Sequence, residues 1–101
     1  MEYLIGIDLG TSGAKIVLFS SRGKTVCSAM RSYSLYQPKN GWAEQAPEDW
    51  WNAVADGLSD VLSQSGVDAS LIRGIGLSGQ MHGLVLLDHL GCPLPPRYHL
   101  V

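Results

Sequence analysis

"IGIDLGTSGAKIVLF", Ile5 to Phe19, ends one apolar β-rich segment in an aspartate, breaks into Gly-Thr-Ser-Gly and resumes as a second. Aspartate and paired glycines weaken strands, so sheet stability alone does not account for them. A turn of Gly, Thr and Ser between two strands offers closely spaced backbone N–H groups and hydroxyls that can surround a phosphate. Glycine there leaves the approach open to an anion. Asp8, at the end of the first segment, is placed to reach a divalent cation directly or through water, and Mg²⁺ favours such a mixture of carboxylate and phosphate oxygens. Lys15 either adds a cation near the phosphates or points into solvent. The pattern is not GxxxxGK[ST] leading into a helix, so a Walker A loop is excluded. An ordinary hairpin with Asp8 and Gly10 as turn formers is the plainer reading of the bare spacing.

Outward from this stretch, Tyr3–Asp8, Ala14–Phe19 and Thr25–Tyr33 read as three strands. "SSRGK", Ser20 to Lys24, forms the turn between the second and third, giving an antiparallel meander. "SLYQPKNGWAEQAPEDWW" is a loop by its Pro, Asn and Gly content. From Pro47 the period changes: Trp51, Val54, Ala55, Leu58, Val61 and Leu62 fall on one helical stripe. Pro47 suits a first turn, Glu48 and Asp49 favour the positive end of the dipole, and Gly66 is a stop, so a helix is expected from about Pro47 to Gln64. "LIRGIGLSG" returns to a strand, and "GLVLLDHLGCPL" gives another with a turn near Asp88 to Gly91 that includes His89. The order is βββαβ plus a further strand. A helix between meander and next strand permits parallel pairing by a crossover, so the expected class is α/β with a mixed sheet.

The 101 residues suffice for one domain with a modest core but are short for enclosing two substrates. A hydrophobic content of 46% with 16% charged residues is globular composition. The net charge of -2 predicts no affinity for nucleic acid or an anionic membrane. No apolar run approaches the roughly 20 residues of a membrane span, and "MEYLIGID" lacks a basic n-region. Cys27 and Cys92 lie far apart without CxxC spacing, which argues against zinc, favours a cytoplasmic setting and suits two partly buried thiols.

"IGIDLGTSGAK" resembles the first phosphate motif of the superfamily that includes actin, Hsp70 and the sugar kinases. Its members share a ribonuclease-H-like, or actin-like ATPase, domain. The resemblance implies ATP and Mg²⁺, with Asp8 as the catalytic and metal-organising carboxylate. It puts Gly10, Thr11 and Ser12 at the phosphates, with Lys15 nearby. The motif alone does not separate a kinase from an actin- or Hsp70-like ATPase that uses nucleotide as a conformational switch. A ribonuclease-H-type nuclease would need further carboxylates on neighbouring strands, and "LIRGIGLSGQ" has none.

"GLSGQMHGLVLLD", Gly76 to Asp88, sets Gln80, Met81 and His82 between glycines at a strand end, where α/β proteins present ligand-binding groups. Gln80 and His82 suit sugar hydroxyls, and Met81 can pack on a carbon face. With "WAEQAPEDWW", this is similar to the xylulokinase branch of the FGGY-type carbohydrate kinases. That resemblance implies D-xylulose as substrate, with Met81 and His82 contacting it and Trp42 helping to wall the pocket. Trp50 and Trp51 are expected to pack in the core. His89 and His99 lack partners that suggest catalysis.

The resemblance covers nearly all of this chain but only the opening part of a full kinase. The family's proton-accepting aspartate and adenine-binding second domain have no counterpart here, so the chain alone is expected to be inactive. Residues 1–101 are expected to form an incomplete ribonuclease-H-like domain whose unpaired edge leads to self-association or a homodimer. After "GCPLPP", Arg97 to Val101 departs from the family pattern. A one-base shift of reading frame would account for that ending, and the five residues are given no functional weight.

Overall fold

The computed structural model describes the chain except residues 38, 40, 42, 81–84, 95–97 and 101; at 86, 94 and 98–100 the backbone alone is described. Its centre is a four-stranded sheet. β1 (Tyr3–Leu9), β2 (Gly13–Ser20) and β3 (Thr25–Ser32) form the expected antiparallel meander, and β5 (Ile72–Gly79) runs parallel to β1, in the order β3-β2-β1-β5. Gly23, at φ 85°, donates its N–H to Ser20 O and closes the β2–β3 turn in a conformation that glycine adopts without penalty. A three-residue β4 (Ala43–Gln45), absent from the sequence reading, lies within the long loop. It pairs with β8 (Tyr98–Leu100), also unexpected. β6 (Leu86–Leu87) and β7 (Pro93–Leu94) form a small hairpin around the expected Asp88–Gly91 turn, where the Asp88 carboxylate accepts from the Leu90 and Cys92 N–H groups.

α1 (Pro47–Ser65) begins with Pro47, Glu48 and Asp49 in its first turn and ends at Gly66, whose φ of 68° closes it with an N–H to Leu62 O. The helix packs over β2 and β3. Ala53, Gly57 and Val61 of its inner face meet Ile16, Leu18 and Ala14, with Val54 and Leu58 beside them. The buried stripe is therefore rotated from the expected one. Trp51 is 72% exposed, Ala55 is exposed, and Ala53 with Gly57 takes the inner face. The rotation has a steric cause, since Gly57 permits an approach to Ile16 that any side chain would obstruct.

Register divides the sheet cleanly. Ile5, Ile7, Ile16 and Leu18 share the helix side, where Arg31 of β3 pairs with Asp60 and Cys27 donates to Gln64 of α1. Cys27 is half-buried, whereas Cys92 is exposed rather than partly buried; both are free thiols. Ile75 and Leu77 of β5 fall on this same side but beyond the reach of α1, at 58% and 78% exposure. The opposite side carries Gly6, Gly74 and Gly76, with Asp8, Lys15 and Ser78 aligned across three strands. It forms part of a groove of about 870 Å³. Among the described residues, no helix is long and apolar enough to cross a membrane.

Candidate functional site

The hairpin between β1 and β2 closes by Gly10 N–H donating to Gly13 O at 3.0 Å. Neither glycine needs a positive φ. Gly13 is required for another reason: a Cβ there would lie 2.6 Å from Arg31 O and 3.0 Å from Ser32 Cα, backbone atoms of β3 that cannot swing aside. Close strand packing thus explains a glycine that the sequence alone attributes to anion approach.

The carbonyls of the turn are all drawn inward. Gly10 O accepts from the Tyr33 hydroxyl, Thr11 O from Gln45 Nε2 at 2.5 Å, and Ser12 O from Tyr33 N–H at 3.2 Å. A trans peptide points its C=O and the following N–H in opposite directions. Holding Gly10 O inward therefore turns Thr11 N–H outward, and holding Thr11 O inward does the same for Ser12 N–H. Neither amide has a partner among the described residues, and both side chains are exposed. Two N–H groups and two hydroxyls face outward from a braced loop, a donor set suited to an anion.

Asp8 is exposed, one residue before the end of β1, in register with Lys15 and Ser78 on the glycine-rich side. Lys15 is exposed and makes no ion pair among the described residues. Burial, and secondarily the negative charge of Asp8, raise the Tyr33 pKa above the ordinary tyrosine value, so the phenol keeps its proton further into the alkaline range. No group of three or more His, Cys, Asp or Glu side chains suited to a metal occurs among the described residues. Asp8 is the candidate carboxylate for a divalent cation, a type of ligand that Mg²⁺ accepts beside phosphate oxygens.

Gln80 follows β5 directly. Its backbone N–H donates to Leu9 O at 3.0 Å, and its Nε2 donates to Gln45 Oε1 at 3.0 Å. Its side-chain donor is thus engaged inside the protein. The structure brings Asp8, Gly10, Thr11, Ser12 and Gln80 to one end of the sheet, with Lys15 on the adjoining surface. Met81, His82 and Trp42 lie outside the described residues. The sequence reading missed Gln45 and Tyr33. Gln45 is fully buried, and Trp50 Nε1 donates to its Oε1 at 2.9 Å. A glutamine just before a helix-opening proline was the sole local signal, and it specifies no partner.

A mixed sheet in the order β3-β2-β1-β5, opening on a glycine-containing hairpin, has the actin-like ATPase arrangement. Residues 3–97 match the FGGY family of carbohydrate kinases, N-terminal domain. Xylulose kinase of Bacillus subtilis (strain 168) is 50% identical over 88 residues, which cover 87% of this chain and 18% of that protein. The crystal structure of ligand-bound xylulose kinase from Lactobacillus acidophilus superposes with a TM-score of 0.88 at 34% identity, covering 100% of this chain and 20% of that one. Gluconate kinase from the same organism gives 0.88 at 34%, covering 99% and 19%. The chain belongs to the FGGY family of carbohydrate kinases, of which it represents the N-terminal domain region. It spans about a fifth of the length of these relatives.

Proposed function

We propose that this chain forms the phosphate-gripping and part of the sugar-binding region of an ATP-dependent kinase that converts D-xylulose to D-xylulose 5-phosphate. The observation that carries the reading is the pair of outward amides at Thr11 and Ser12, held by inward-bonded carbonyls beside the Asp8 carboxylate. That donor set fits the phosphates of ATP, and Asp8 fits Mg²⁺. ATP supplies the transferable phosphoryl group and Mg²⁺ neutralises its charge. Thr11 and Ser12 hold the phosphates, Gly10 keeps the turn compact, Lys15 adds positive charge nearby, and Asp8 orients the cation. Gln80, Met81 and His82 position the ketopentose. The strongest support for that sugar is similarity to xylulose kinases, together with Met81-His82.

By itself the chain is catalytically inert in this reading, because none of its described residues is assigned the role of accepting the sugar hydroxyl proton. Its setting is the cytoplasm.

The test is a segment exchange. Residues 3–97 replace the matching segment of the Bacillus subtilis xylulose kinase, and the chimera is assayed with D-xylulose, gluconate and glycerol. Phosphorylation of D-xylulose in preference to the other two is expected. A folded chimera that prefers another substrate would overturn the sugar assignment, and one that binds no Mg-ATP would overturn the kinase reading.

A further inference from the structure

The brace around the turn reaches further than the turn itself. Trp50 Nε1 can only donate, so the Gln45 atom facing it at 2.9 Å must be the acceptor Oε1. Nε2 then faces Thr11 O, which can only accept. The amide orientation follows from its partners. Oε1 also receives Gln80 Nε2, and Gln80 N–H bonds to Leu9 O at the near end of the same turn. The end of β5 is therefore attached to the hairpin twice, once by its backbone at Leu9 and once through the Gln45 side chain at Thr11. Gln45 is fully buried, so water cannot replace a lost partner without entering the core.

We infer that Gln45 is a positioning residue that ties the Thr11–Ser12 turn to the Gln80 strand end, so that a displacement at one is transmitted to the other. The tie is a single amide: its Nε2 end holds the peptide plane that aims Ser12 N–H, and its Oε1 end receives the Gln80 side chain. Reading its two ends as the nucleotide side and the sugar side rests on the function proposed above, whereas the tie itself does not.

The experiment uses the ¹⁵N-labelled 101-residue chain and begins without ligand. Gln80→Ala should shift the Ser12 amide resonance in the wild-type background, and that response should fall roughly threefold or more with Gln45→Leu, the signature of coupled positions. An equal response in both backgrounds overturns the tie. Should Gln45→Leu fail to fold, the same comparison is made with Gln45→Met, which keeps the length of the side chain but has no N–H for Thr11 O and no amide oxygen for Gln80. The response of the Ser12 amide to Gln80→Ala should fall there as well, and an equal response in both backgrounds overturns the proposal. Mg-ATP is then titrated into the chimeric kinase carrying ¹⁵N-labelled residues 3–97, in which the rest of the Bacillus subtilis enzyme is present. Perturbation of Thr11 and Ser12 followed by the Gln80 side-chain amide supports both readings. Perturbation of the turn without Gln80 counts against the tie, and no change at the turn counts against the nucleotide reading while the ligand-free cycle still decides the tie.

Discussion

Gly57 of α1 stands directly against Ile16 of β2: a Cβ on the glycine would lie 2.4 Å from Ile16 Cδ1 and 3.2 Å from its Cγ1. Ile16 is fully buried, so its end has nowhere to swing. Alanine would gain about 1 kcal/mol in helix propensity, but overpacking a closed core costs about 1–3 kcal/mol. Gly57→Ala is expected to lower stability by a net ~1 kcal/mol in urea denaturation. A variant as stable as the wild type would mean that the helix can back away from the sheet.

Tyr33 should leave a mark at high pH. Burial first, and the Asp8 charge second, raise its pKa above the ordinary 10.0. The folded state therefore holds this proton more tightly than the unfolded chain. Its stabilising contribution is complete below about pH 10 and is lost as pH rises through the folded value. Tyr33→Phe removes the donor to Gly10 O, costing about 1 kcal/mol near neutrality. The stability gap between wild type and variant should then narrow above pH 10. A gap that stays constant on the alkaline side would contradict the assigned direction.

Asp8 is exposed and its side chain makes no hydrogen bond or ion pair among the described residues, so Asp8→Asn should change stability by less than about 0.5 kcal/mol. In the chimeric kinase the same substitution is expected to lower kcat by about 10²-fold or more through loss of electrostatic stabilisation. Thermal melts beside Mg²⁺-dependent rates make the comparison. Full activity with asparagine would remove Asp8 from the site.

Leu77 and Ile75 lie on β5 at the edge of the four-stranded sheet, with their apolar side chains exposed on the helix side. Such an edge invites pairing with a second copy. Sedimentation velocity of the 101-residue chain should show association that rises with concentration, and Leu77→Lys should shift it toward monomer without lowering the melting temperature. A wild-type chain that stays monomeric at high concentration would refute this expectation.

Much of the fold was legible locally. The three strands of the meander, the Ser20–Lys24 turn, α1 and β5 all follow from alternation, period and breaker residues within their own segments. β4 was not legible, because three residues in a Pro- and Gly-rich loop carry no periodicity. The inner face of α1 was misjudged for a different reason. Pattern reading weights a tryptophan heavily and a glycine not at all, whereas close packing on Ile16 excludes bulk at position 57 and leaves Trp51 outside. At the candidate site, Asp8 and the Gly10–Ser12 turn stood out in the chain itself. Tyr33 and Gln45 did not, since their partners lie 23 and 34 residues away.

The order of chemical groups along the first hairpin, the change from a two-residue to a helical period, and the kinship with sugar kinases are properties of the linear chain. Each is written in neighbouring residues. The outward aim of the Thr11 and Ser12 amides arises only when Tyr33, Gln45 and Gln80 converge on the turn from distant segments. A hydrogen bond depends on distance and angle in space, and no local pattern specifies which buried amide will meet which carbonyl.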